Sequence, residues 1–195
     1  MNKLSLVIRK ITVPPTFAAT LLVVAYVMYP HYFGSIWQVV GGLVFLCILP
    51  LLAYPLQKYV PHFKDNGRDG QRSLAMIFSA VGYLLGTAVA LLTSAPAQLK
   101  IIYFEYLLCG TSMLVINKVF KRKASGHACG VVGPILVMVY FKMLIPAVIG
   151  LLLVVPVFIA SVKTKQHTVP QLIGGSFIPA TTLCAIIIVN GLFFA

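Results

Sequence analysis

Long apolar runs separated by short polar breaks set the pattern of this chain. The runs fall near residues 11–30, 36–57, 74–93, 100–117, 127–141, 144–162 and 171–194. Most approach the roughly 20 apolar residues that a helix needs to cross the hydrocarbon core of a bilayer. The fifth and sixth runs are parted only by Lys142 and followed by Pro146. Together they are too long for one crossing, so the pattern predicts two helices there. No internal repeat is visible. The expectation is an all-α, polytopic membrane helix bundle of six to seven transmembrane helices, forming a single transmembrane domain over residues 1–195.

Composition strengthens this reading. The chain has 195 residues, of which 60% are hydrophobic and 9% charged, against about 25% charged in soluble domains. A soluble fold of this size has no place for so much apolar surface, whereas lipid can face the outside of every helix. The spans use most of the chain, which leaves no room for a separate soluble domain. The first ten residues are basic and precede an apolar run, as in a signal peptide. No small-residue cleavage pattern follows, and Pro14 and Pro15 interrupt the run, so it reads as a retained first span.

Charge then orients the bundle. Lys3, Arg9 and Lys10 precede the first run; Lys58, Lys64, Arg68 and Arg72 follow the second. Lys118, Lys121, Arg122 and Lys123 follow the fourth, and Lys163 and Lys165 follow the sixth. The intervening loops are nearly bare, with His31, Lys100 and Lys142. Such alternation places the basic loops on the cytoplasmic side of the cell membrane. It fits seven spans with the N-terminus inside. The net charge of +12 is scattered through these loops instead of gathered on one polar face, which argues against nucleic acid and for contact with membrane lipids.

The four cysteines, Cys47, Cys109, Cys129 and Cys184, form no C-x-x-C pair and read as packing residues. Of the three acids, Asp65 and Asp69 partly neutralise a basic loop. Glu105 lies inside the fourth run. An ionisable group at that depth has a partner or a role: a Lys or Arg from another helix, or a place near a substrate. No Asp/Glu cluster suggests a catalytic metal, and no cofactor is expected.

Two segments carry candidate chemistry. In Lys121-Arg122-Lys123-Ala124-Ser125-Gly126-His127, a cationic loop meets Ser-Gly-His at the start of an apolar run. Ser125 is a good helix N-cap, and a helix N-terminus beside cations attracts phosphate. In Lys163-Thr164-Lys165-Gln166-His167-Thr168-Val169-Pro170-Gln171 a second basic loop holds one histidine before a helix. Thr168 and Gln171 also fit a capping box. Two spans separate the segments, so both loops emerge on one side and the histidines can meet. Two histidines and several cations suit phosphoryl transfer, one attacking phosphorus and the other protonating the leaving alkoxide.

These segments resemble the type-2 phosphatidic acid phosphatase superfamily of membrane lipid phosphatases, whose motifs are K-x6-R-P, P-S-G-H and S-R-x5-H-x3-D. Ser125-Gly126-His127 matches the second motif, with Ala124 in place of Pro, and His167 matches the third, with Gln171 in place of Asp. The first motif is absent, and Ser161 stands where the third motif has Arg. The resemblance covers about residues 100–190. It implies metal-independent hydrolysis of a lipid phosphate or diphosphate through a phosphohistidine. His167 would be the nucleophile, His127 the acid, and Gln171 the residue orienting His167. Lys123, Lys163, Ser125 and Gly126 would hold the phosphate, with Lys118 and Arg122 supplying the charge of the missing first motif. The alternatives are a lipid-binding or transport protein with a degenerate site, and a lipid phosphotransferase.

Overall fold

The computed structural model describes residues 7–8, 11–121 and 123–194, with side chains for all of these but 118 and 191–194. Arg122, the side chain of Lys118 and the early basic residues Lys3, Arg9 and Lys10 therefore lie outside the described residues.

The described residues contain no strand and fold into seven principal helices: α1 (Pro14–Met28), α2 (Ile36–Tyr59), α3 (Gly67–Leu92), α4 (Ala97–Asn117), α5 (Gly126–Tyr140), α6 (Leu144–Lys163) and α7 (Val169–Phe194). Helix α2 carries a π-helical turn at Val44–Ile48, and α4 runs into a second one at Val115–Val119. Five helices, α2, α3, α4, α6 and α7, are long and apolar enough to cross a membrane. Helices α1 and α5 have 15 residues each, about 22 Å at 1.5 Å per residue. That is short of the roughly 30 Å hydrocarbon core.

The outer surface is what lipid requires. Along α6, Ile145, Val148, Ile149, Leu152, Val155 and Ile159 form one exposed apolar stripe, a pattern that in water would mark an aggregating face. On α2 the exposed aromatics Trp37 and Tyr59 (77% and 70% accessible) stand 22 positions apart in sequence, about 33 Å along a helix. That spacing matches an aromatic belt at the two interfaces of a bilayer.

Helix α5 is the centre of the bundle and packs on α1, α4, α6 and α7. Ala128, Val131 and Val137 are fully buried there. Small residues let backbones approach where hydrocarbon gives no hydrophobic drive for association. A Cβ on Gly82 would lie 2.3 Å from the Phe45 carbonyl oxygen of α2, and one on Gly86 would overlap the Tyr103 ring of α4.

Four contacts fix the two ends of the bundle. Pro14 of α1 packs on Gly130 of α5. The Ser125 N–H donates to the Gln171 carbonyl (2.9 Å), and Arg72 Nη2 donates to Gln166 Oε1 (2.9 Å). At the other end, the rings of Tyr32 and Phe141 are 5.0 Å apart. The start of α3 and the α4–α5 and α6–α7 connections, all basic, thus share one end. Ser94, Lys121, Lys142 and Lys165, just past the ends of α3, α4, α5 and α6, take the left-handed conformation.

Candidate functional site

The site is built where α5 and α7 begin. Ser125 caps α5 as its residue type predicts: its Oγ accepts from the Ala128 N–H at 3.2 Å, and it is wholly buried. The loop before it is closed by Asn117, whose Oδ1 accepts the Ala124 N–H at 2.8 Å. Lys121 and Lys123 are exposed on that loop, and Gly126, the first residue of α5, is exposed beside them.

Helix α7 reaches this point through glycine. A Cβ on Gly175 would lie 2.3 Å from the Ser125 carbonyl oxygen and 3.0 Å from its backbone nitrogen. No side chain can therefore stand between the two helix starts. His127 lies two residues after Ser125 and His167 four before Gln171, and both histidines are half-buried. The Ser125–Gln171 hydrogen bond thus joins the segments that carry them, which sequence spacing alone placed only on a common side.

Gln171 has a use of its own. Its Oε1 accepts the Thr168 N–H at 3.3 Å, the capping-box contact, so the amide oxygen expected to orient His167 is engaged in closing the first turn of α7. Lys163 is exposed in the last turn of α6. Ser161, at the position where the resembling motif has arginine, is completely buried. An arginine there would point its charge into the core, so any cation near the site comes from elsewhere.

One such cation escaped the sequence reading. Arg72, in the second basic loop, read only as an orientation signal. Its hydrogen bond to Gln166 sets it against the residue next to His167, and its other contact is a 4.0 Å ion pair with Asp69. No spacing rule connects position 72 to position 166; the packing of α3 brings them together.

Glu105 goes against one of the two alternatives that its depth left open, a basic partner. Among the described residues no Lys or Arg pairs with it. Oε1 instead accepts from the hydroxyl of Thr182 (3.0 Å) and the thiol of Cys109 (3.3 Å), and Cys109 and Thr182 are themselves 3.2 Å apart. Neutral donors from α4 and α7 thus serve the carboxyl in the bundle interior. Cys109 and Cys129 pack with Ile178 in a small buried cluster, as packing cysteines do. Among the described residues no three His, Cys, Asp or Glu side chains converge as a metal site would require.

No family of known proteins, no curated protein and no solved structure matches this chain. Fold and surface define an all-helical protein with at least five helices fit to cross a membrane.

Proposed function

We propose that this chain is a membrane-embedded, metal-independent phosphatase of lipid phosphates or diphosphates, acting from the basic end of the bundle. The observation that carries the reading is the Ser125–Gln171 hydrogen bond, which joins the helix starts bearing the two histidines. An imidazole nitrogen of His167 attacks phosphorus while the bond to the leaving oxygen breaks, and His127 gives that oxygen its proton. Water then attacks the phosphohistidine, the P–N bond breaks and phosphate leaves. Lys123, Lys163 and the Gly126 N–H, with Arg72 added from the second loop, neutralise the charge on the transferring group. In this reading α1 and α5 also cross the membrane. The short α5 packs on α1, α4, α6 and α7, so protein instead of lipid meets most of its length. The active end faces the cytoplasm of a cell membrane, following the basic loops.

The test is phosphate release by the purified protein from a panel of lipid phosphates with chelator present. His167→Ala should abolish release. His127→Ala should cost about 10²–10⁴-fold, and less on an aryl phosphate, whose oxygen leaves without a proton. Release by the His167→Ala protein at the wild-type rate would sink the mechanism. A wild type inactive on every lipid would favour the lipid-binding reading, to which the cap-engaged Gln171 lends support.

A further inference from the structure

At the corner where α2 meets α3, the surface holds an open cavity of ≈ 390 Å³ that the histidine chemistry does not use. Lys58, Lys64 and Arg68 line it, with Tyr54, Gln57 and Gln71. The three cations come from three separate pieces of backbone: the end of α2, the short helix Pro61–Lys64 and the first turn of α3. The loop's two acids, Asp65 and Asp69, do not line the cavity. Three positive charges thus face one space with no carboxylate among them.

Hydrogen bonds tie the backbone segments around the cavity to one another. Gln57 Nε2 donates to the carbonyls of Phe63 (3.0 Å) and Gly67 (2.7 Å), which ties the end of α2 to the loop and to α3. Below the loop, a Cβ on Gly70 would lie 2.5 Å from the Phe63 carbonyl oxygen, so the short helix rests directly on α3. The Lys58 ammonium lies 4.8 Å from the Tyr59 ring centroid. On the cavity's apolar side, Tyr54 is followed on the same face of α2 by exposed Leu51, the surface that acyl chains would cover. Charge at the interface and hydrocarbon below are the two halves of a phospholipid.

We propose that this cavity is an accessory site for the phosphate headgroup of an anionic phospholipid, separate from the histidine pair. It rests on the membrane placement of α2 and α3 and not on the phosphatase reading. Arg72, one turn beyond Arg68 on α3, donates a hydrogen bond to Gln166 in the loop that carries His167. A lipid held in the cavity would therefore buttress the loop that carries His167.

The test uses the purified full chain in neutral detergent, titrated with short-chain phosphatidylglycerol, short-chain phosphatidylcholine or inorganic phosphate, and followed by thermal midpoint and bound lipid. Phosphatidylglycerol should raise the midpoint saturably and more weakly at high salt, while the other two should not. Lys58→Ala/Lys64→Ala/Arg68→Ala should weaken that response on the order of a hundred-fold. His127→Ala/His167→Ala should keep it. Because the triple variant could misfold, Lys58→Arg/Lys64→Arg/Arg68→Lys serves as its partner and should retain the response. An equal effect of phosphatidylcholine would reduce the cavity to annular lipid, and an equal effect of inorganic phosphate would make it a free-anion site. A response lost in the histidine variant but kept in the triple variant would place the lipid at the histidines. Each of these results overturns the proposal.

Discussion

Gly174 and Gly175 are neighbours in the sequence and opposites in the fold. Gly174 is exposed with nothing within 4 Å of a Cβ, while a Cβ on Gly175 would meet Ser125 backbone at 2.3 Å. In a helix interior, Gly costs about 0.5–1 kcal/mol relative to Ala, so Gly174→Ala should raise the thermal midpoint in detergent. Gly175→Ala must force α7 from α5 and should lower stability by about 1–3 kcal/mol. It should also break the Ser125–Gln171 contact, and on the proposed function phosphate release with it. Equal behaviour of the two variants would show that α7 does not seat on Ser125. The sequence displayed both glycines alike, because their difference lies wholly in what the facing helix puts opposite them. The same holds for Glu105: its depth in the fourth run was legible, but its donors, Cys109 one turn on and Thr182 from α7, could be named only after packing.

Among the helices, boundaries followed residue chemistry closely. Ser125 starts α5 and Thr168–Gln171 starts α7, as capping rules require. Lys142 splits the long fifth stretch, for a reason beyond polarity. It adopts φ 58°, its N–H bonds to Val139 O (3.0 Å), and the next N–H bonds to Met138 O (2.9 Å), which is the paired closure of a Schellman turn. A non-glycine residue in that conformation costs about 1 kcal/mol. An exposed cation at a helix C-terminus returns only about 0.3 kcal/mol under screening. Lys142→Gly should therefore stabilise the protein modestly, whereas Lys142→Ala, which keeps the strain and loses the charge, should destabilise it slightly; paired thermal unfolding decides the point. Less legible was the start of α3. The apolar run begins near 74, but the helix begins at Gly67, because Arg68 and Arg72 extend α3 into the basic loop as polar helical turns.

For the whole molecule, the left-handed residues Ser94, Lys121, Lys142 and Lys165 mark successive ends of α3, α4, α5 and α6. Cysteine placed singly at each, with exposed Cys184 changed to serine, reports the course of the chain. Labelling of intact cells by an impermeant thiol reagent should reach positions 94 and 142 and spare 121 and 165. The opposite pattern would put the basic end outside. Equal labelling of 121 and 142 would mean that the short α5 does not cross.

What the sequence determined by itself was the class of the molecule, a chain of helices several of which are long and apolar enough to cross a membrane. Apolar runs of span length and basic loops at every second break are local quantities, set by the transfer of side chains and charges between water and lipid. Tertiary structure decided which helices approach one another. It made α5 the hub, brought the starts of α5 and α7 within one hydrogen bond, set Arg72 beside the His167 loop, and gathered three cations around a cavity at the α2–α3 corner. Those outcomes depend on small residues such as Gly82, Gly86 and Gly175 admitting a neighbouring backbone. A glycine states that an approach is possible but not what approaches, so only the packed bundle could supply the partner.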